Sequence, residues 1–214
     1  MNSIKGKIFM LIGVLCIAGA VSLYMHNRTE DVMAGETAGR DLGSVMEQVV
    51  DGNKEIPTSG DMPAVDVSGN TYIGIVTVPS LSLQLPIQRE WSKANAKISP
   101  CRYKGSVYDN NLIVAAHNYE RHFGLLKNLM SGDEVIITDM DGHSFYYQVV
   151  NTEIIDSFGI EEMDAGDWDL TLFTCTVGGQ SRVTVRCAAT GKIRSDWSSV
   201  KTELTNAMYN AAKH

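Results

Sequence analysis

The stretch from Thr171 to Cys187, TLFTCTVGGQSRVTVRC, brings a thiol and a guanidinium together across a short turn. An apolar run ends on Thr174 and Cys175, a Gly-Gly turn follows, and the next run alternates Arg182, Val183, Thr184, Val185, Arg186, Cys187. A period of two is the mark of a strand with one face buried. It puts Val183, Val185 and Cys187 on one face, and Arg182, Thr184 and Arg186 on the other. A thiol acts as a nucleophile in its thiolate form, which a nearby cation favours. Arginine does not give up its proton, so it serves as a fixed charge or an oxyanion donor, not as a base. The competing reading of the same residues is a plain hairpin with a buried cysteine and two solvated arginines.

The missing base must come from one of five histidines. His26 flanks an apolar segment and His214 is terminal. His143 follows Asp141-Gly142 in a turn and is expected to be solvated. His117 closes the apolar run Leu112 to Ala116, where a buried strand meets solvent. Site residues concentrate at such positions. His122 precedes apolar residues at helical spacing and reads as a cap or packing residue, so His117 is the better-placed base. Cys175, His117 and Arg182 make a workable acyl-transfer set: nucleophile, proton carrier and oxyanion donor.

These residues need a sheet to hold them. Tyr72–Val78 and Leu81–Leu85 read as strands, with Pro86 marking an edge or an end. Trp91–Lys97 reads as a helical turn or two. Asn111–Ala116 is a short apolar strand, and Phe123–Met130 reads as a helix stopped at Ser131-Gly132. Glu134–Asp139 and His143–Ile155 read as a hairpin joined through Asp141-Gly142. Ser157–Asp169 is an acidic loop, and Ser195–Lys213 a terminal helix. Seven or eight short strands without a βαβ rhythm predict a mainly β fold with short helices, a barrel or sandwich.

The 214 residues suffice for one ordinary domain and a tail. A net charge of −7 argues against a nucleic-acid partner. Lys5 and Lys7 precede an uncharged run, Ile8 to Met25, long enough to cross a bilayer. Lysines before that run and none just after it favour an inside N-terminus and an outside body. A cleaved signal peptide, cut near Ala18-Gly19-Ala20, is the alternative. The expected organisation is 1–7 cytoplasmic, 8–25 anchor, 26–70 flexible linker with a short helix near Asp41–Val50, 71–194 catalytic body, and 195–214 helix or tail. Outside the apolar run stand Cys101, Cys175 and Cys187, an odd count in an oxidising compartment. A Cys101–Cys187 bridge would leave Cys175 free. No Cys/His spacing suits structural zinc, and no metal site is expected.

TLFTC at Thr171–Cys175, an arginine opening the next strand and a histidine ending an apolar strand resemble the sortase family. Tyr72–Pro79, Leu83–Ile87, His117–Leu129 with Gly132-Asp133, and Thr171–Val185 fit it too, so the resemblance covers roughly residues 71–190. It implies a closed eight-stranded β-barrel and a cysteine transpeptidase of Gram-positive bacteria. Such an enzyme cuts a sorting signal of the Leu-Pro-x-Thr-Gly type and passes the acyl group to an amine of a cell-wall precursor or to a pilin lysine. By motif position Cys175 is the nucleophile, His117 the acid/base and Arg182 the oxyanion or positioning residue. Thr174 and Asn118 are candidate substrate contacts. Arg186, about 13 Å further along the same strand face, is the competing arginine.

The class stays open. No Asp-Pro-aromatic lid motif precedes the body, since Asp61-Met62-Pro63 does not match. His117-Asn118 is similar to class B, yet too few residues separate Val150 from Thr171 for that class's helical insertion. A class D-like or unassigned enzyme is the expectation. Glu161, Glu162, Asp164, Asp167 and Asp169 read as a solvated acidic loop in preference to a calcium site, which needs six or more oxygens; no cofactor is expected. Two rivals remain, a secreted cysteine peptidase using water and a non-catalytic wall-binding β-domain.

Overall fold

A computed structural model of the chain describes residues 2–52, 54–156, 163 and 168–211. The expected acidic residues Glu161, Glu162, Asp164 and Asp167 lie outside them. The chain divides into two compact units, Met1–Met33 and Ala34–His214. The first unit is helical, and its apolar side chains from Ile8 to Met25 are exposed. Among the described residues one helix is long and apolar enough to cross a membrane.

The second unit is mostly β. Its strands are β1 (Val65–Val67), β2 (Asn70–Val78), β3 (Leu83–Gln88), β4 (Cys101–Lys104), β5 (Leu112–Ala116), β6 (Glu134–Asp139), β7 (Ser144–Asp156), β8 (Leu170–Cys175) and β9 (Ser181–Arg194). They form one sheet in the order β1-β2-β3-β4-β5-β8-β9-β7-β6, and β6 pairs back onto β2. Eight strands, β2 to β9, therefore close into a ring, and β1 extends β2 as a hairpin. The Asp141-Gly142 turn joins β6 to β7, with Gly142 in the left-handed region its type requires. Pro86 sits within β3, whose outer neighbour β4 pairs only at Gln88 and Cys101. No ladder bond is lost there, so the missing N–H is tolerated.

Inward-facing residues fill the ring. Leu112, Val114 and Ala116 of β5, Leu170 and Leu172 of β8, and Val183, Val185 and Cys187 of β9 belong to its core. Phe123, Leu126 and Leu129 plug it from the segment after β5. That segment is turns and one 3₁₀ turn, Leu126–Asn128, instead of the expected helix. Apolar residues three apart suit three residues per turn as well as an amphipathic helix.

The expected linker over 26–70 is not what the structure has. Helix α1 runs Asn2–Gln48, and Ala34, Ala38, Asp41, Val45 and Val49 bury one stripe on the body. The Tyr72 hydroxyl donates to Asp41 Oδ2 at 2.7 Å on that stripe. A second helix, α2 (Trp197–Ala211), joins it in a cluster outside the ring, with Val45, Tyr72, Ile75, Ile136, Met140 and Trp197. Beyond α1 the backbone stays docked. Val50 N–H donates to the Met140 carbonyl and Gly52 N–H to that of Ser195. Arg89 and Arg102 grip Asp61, and these cations hold its carboxyl below the usual range.

Two further expectations are corrected. His143 is buried, not solvated, with Nδ1 2.8 Å from Ser195 Oγ. Cys101 and Cys187 are buried free thiols, not a disulfide. They stand on strands three places apart in the sheet order, roughly 14 Å at ordinary strand spacing. A disulfide needs Cα atoms within about 7 Å.

Closure depends on Gly74. It pairs with Ile87 of β3 and Asp139 of β6, and a Cβ there would lie 2.4 Å from the Thr138 carbonyl oxygen. Gly74→Ala should lower the urea midpoint, costing about 1–3 kcal/mol. Gly39→Ala, in open space on α1, should be neutral or stabilising.

Candidate active site

Three strand ends build the site. β5 and β8 run parallel, with Leu112 beside Leu170 and Ala116 beside Thr174. His117 follows Ala116 and Cys175 follows Thr174, so the register brings both to the same edge of the sheet. β8 and β9 run antiparallel, and Cys175 pairs directly with Arg182. Neighbouring strands lie about 4.8 Å apart. Cys175 thus ends the middle strand, with the end of the His117 strand on one side and Arg182 on the other. All three side chains are half-buried.

The facing alternates as the sequence pattern requires. Thr171, Phe173 and Cys175 share the outer face with Arg182, Thr184 and Arg186. Thr174 points the other way and is 1% exposed. Its hydroxyl donates to the Ala116 carbonyl at 2.9 Å. The contact with substrate expected of Thr174 does not fit a sealed side chain. Thr174 instead ties the Cys175 strand to the residue that precedes His117. Asn118 is half-buried beside His117.

The two arginines separate cleanly. Arg186 is 3% exposed and donates to Glu153 Oε1 at 2.8 Å, the Met163 carbonyl at 2.9 Å and Thr171 Oγ1 at 3.1 Å. It is a buried tie between strands. Arg182 opens β9 beside Cys175. Its Nη1 donates to the carbonyls of Gly179 and Ser181 in the turn, at 3.0 and 3.1 Å. Those bonds hold the guanidinium near the turn between β8 and β9. Gly178 and Gly179 take positive φ there, and Thr176 and Ser181 close it with a backbone bond.

The cysteines separate too. Burial pushes the thiols of Cys101 and Cys187 up to about 12, which keeps them protonated and inert at neutral pH. Cys175 is the one cysteine of the sheet that reaches the surface. His122 is fully buried, as its packing reading requires, and does not share the strand end.

Sequence reasoning missed two parts of this face. The first is an aromatic shelf. The Tyr103 ring meets Phe173 edge-on at 5.4 Å and Trp91 at 6.1 Å. The intervening β5 carries only Ala115 at that level, in register with Phe173. A small side chain there lets rings from β4 and β8 touch above it. Trp91 and Tyr103 are 46% and 38% exposed, so the shelf presents rings to solvent beside Cys175. The second is Tyr119, whose ring stacks on His117 with centroids 4.2 Å apart and planes 8° apart. Among the described residues no three His, Cys, Asp or Glu side chains group to hold a metal ion. Asp169 is spent on the Ala189 N–H at 2.6 Å.

A family model described as the sortase domain matches residues 76–190. No curated protein matches the chain. Several solved structures are similar. Sortase C-3 from Streptococcus pneumoniae is 19% identical at a TM-score of 0.55, covering 86% of this chain and 92% of its own. The Clostridium perfringens sortase D5 transpeptidase is 18% identical at 0.51, covering 61% and 83%. Sortase A from Corynebacterium diphtheriae is 17% identical at 0.52, covering 76% and 85%. At such identities the likeness is one of fold. The family match is of another kind: it takes in more than half of the chain and contains His117, Cys175 and Arg182, and the chain belongs to the sortase family, whose members are cysteine transpeptidases.

Proposed function

We propose that this chain is a membrane-anchored transpeptidase that joins a peptide acyl group to an amine through Cys175. The observation that carries the reading is the placement of Cys175 between His117 and Arg182 on three adjacent strand ends. The Cys175 thiolate attacks the scissile carbonyl carbon, and Arg182 donates hydrogen bonds to the oxyanion that forms. The imidazolium of His117 gives its proton to the leaving amine as the C–N bond breaks. A thioester on Cys175 remains. The acceptor amine attacks it, His117 takes a proton from that amine, and the sulfur leaves as thiolate. Atoms and charge balance without an oxidant, and no step calls on a cofactor or on calcium.

The donor is a sorting signal of the Leu-Pro-x-Thr-Gly type, cut between Thr and Gly. The aromatic shelf supports that choice. Phe173 lies two residues before Cys175 on the same face, about 7 Å along the strand. The rings of Phe173, Tyr103 and Trp91, packed edge to face, offer an apolar surface for side chains upstream of the cut, a proline ring among them. The acceptor is an amine of a cell-wall precursor or a pilin lysine. Asn118, beside His117, is placed to touch either substrate. The apolar helix before Ala34 anchors the body at the outer side of the membrane.

Full-length protein in detergent, incubated with sorting-signal peptides, should show a peptide adduct on Cys175 by mass spectrometry. Added triglycine should convert the adduct to an amide product. Cys175→Ala should abolish both. Product from water alone, at a rate unchanged by triglycine, would favour a peptidase. A thiol probe that labels Cys175 no faster than Cys101 would favour a binding domain. Arg182→Ala should lower kcat by roughly 10²–10³-fold, the usual loss for an oxyanion donor. Arg186→Ala should act through stability instead, lowering Tm by emptying a buried hydrogen-bond set. Tyr103→Ala should raise KM for the donor and leave that for triglycine unchanged.

A further inference from the structure

The segment that carries His117 away from β5 is built around one carbonyl. His122 and Gly124 both donate their N–H to the Tyr119 oxygen, at 3.0 and 2.8 Å. Phe123 N–H reaches back to the His117 carbonyl at 3.3 Å. A Cβ at Gly124 would lie 2.7 Å from the Tyr119 oxygen, so the tight return needs glycine. Phe123, fully buried, fixes the return in the core of the ring. This frame leaves the backbone of Tyr119 little freedom. Its ring lies parallel to the His117 imidazole, and His122 meets it edge-on at 5.5 Å and 63°. His122 is itself fully buried, so Tyr119 is held between one imidazole it covers and another that backs it.

The face of an aromatic ring carries negative charge density, and a cation stacked on it is stabilised. The imidazolium is the form of His117 that can give a proton to a leaving amine. It stands among groups that pull in opposite directions. The Cys175 thiolate favours its charge and Arg182 opposes it. His122 lies behind Tyr119, and Glu120 and Arg121 follow in the same segment. The chain places one ring flat against His117 within this setting.

We propose that Tyr119 is a positioning residue for the acid/base: its ring fixes the plane of the His117 imidazole beside Cys175 and favours the protonated form. The proposal rests on His117 acting as the proton carrier. It assigns the work to the face of the ring and none to the hydroxyl. Losing the ring lets the imidazole turn and lowers the pH at which it gives up its proton.

The test follows the His117 imidazole by NMR across pH in the full chain in detergent micelles, with labelled histidine. A Cys175→Ala background keeps thiol and imidazole titrations from merging. Tyr119→Phe should leave the His117 midpoint in place, because the ring remains. Tyr119→Leu should move it to lower pH by roughly half a unit or more. With Cys175 restored, the alkaline limb of kcat should move the same way, because activity is lost as the proton carrier empties. Tyr119→Trp keeps a larger ring and should hold or raise the midpoint, which serves if the leucine variant unfolds. An unmoved midpoint in Tyr119→Leu overturns the proposal, and so does a Tyr119→Phe variant that behaves like leucine. A shifted midpoint in a protein that forms no adduct on Cys175 would overturn the transpeptidase reading and leave the stack standing. An adduct with an unmoved midpoint would do the reverse.

Discussion

The site depends on the parallel pairing of β5 with β8. Two parallel strands end at the same edge of a sheet, so a residue that closes one can stand beside a residue that closes the other. Parallel strands cannot be joined by a tight turn, and here the connection from β5 to β8 contains β6 and β7. The histidine and the cysteine are therefore distant in sequence and adjacent in space. Arg182 arrives by the opposite device, a tight turn into an antiparallel strand. A slip of one residue between β5 and β8 would turn Cys175 or His117 to the other face. The Thr174 hydroxyl on the Ala116 carbonyl guards that register at its last step.

The outer face of the same strands is graded along its length. At one end Arg186, Thr171, Thr184 and Met163 are sealed, and the arginine donates to Glu153, to the Met163 carbonyl and to Thr171. At the other end Cys175 and Arg182 reach solvent. A buried charge needs partners within the fold, and Arg186, covered and held by these bonds, is closed to a substrate. Arg182 leans on two carbonyls of the glycine turn through Nη1 alone and stays half-buried. Two arginines four residues apart on one strand face thus do different work because one is covered and the other is not.

Much of this was legible. Alternation in β9, the Asp-Gly hairpin and the apolar run into His117 each carried a local signal that the sheet obeys. So did the order of His117, Cys175 and Arg182, because strand ends can be read from where apolar runs stop. The packing of residues 34–49 was missed although its stripe has helical spacing. Ala34 and Ala38 are weakly apolar and Asp41 interrupts the pattern, so the stripe resembles a polar linker until Tyr72 appears as the partner of Asp41. His143 was misread because its turn position suggested solvent, while α1 and the residues after it cover that turn. The stack of Tyr119 on His117 had no signal at all. Two residues apart in an irregular segment, their rings meet only because Gly124 and Phe123 fold the chain back.

The sealing of Cys101 and Cys187 has a consequence under oxidation. Within the folded body a peroxide molecule meets one cysteine thiol, that of Cys175. Sulfenic acid formed there would find no neighbouring thiol to condense with, so no disulfide within the body protects it from further oxidation. The same seclusion lets the body mature without a disulfide to form or shuffle. The accessible thiol chemistry of the body is therefore lodged in a single atom.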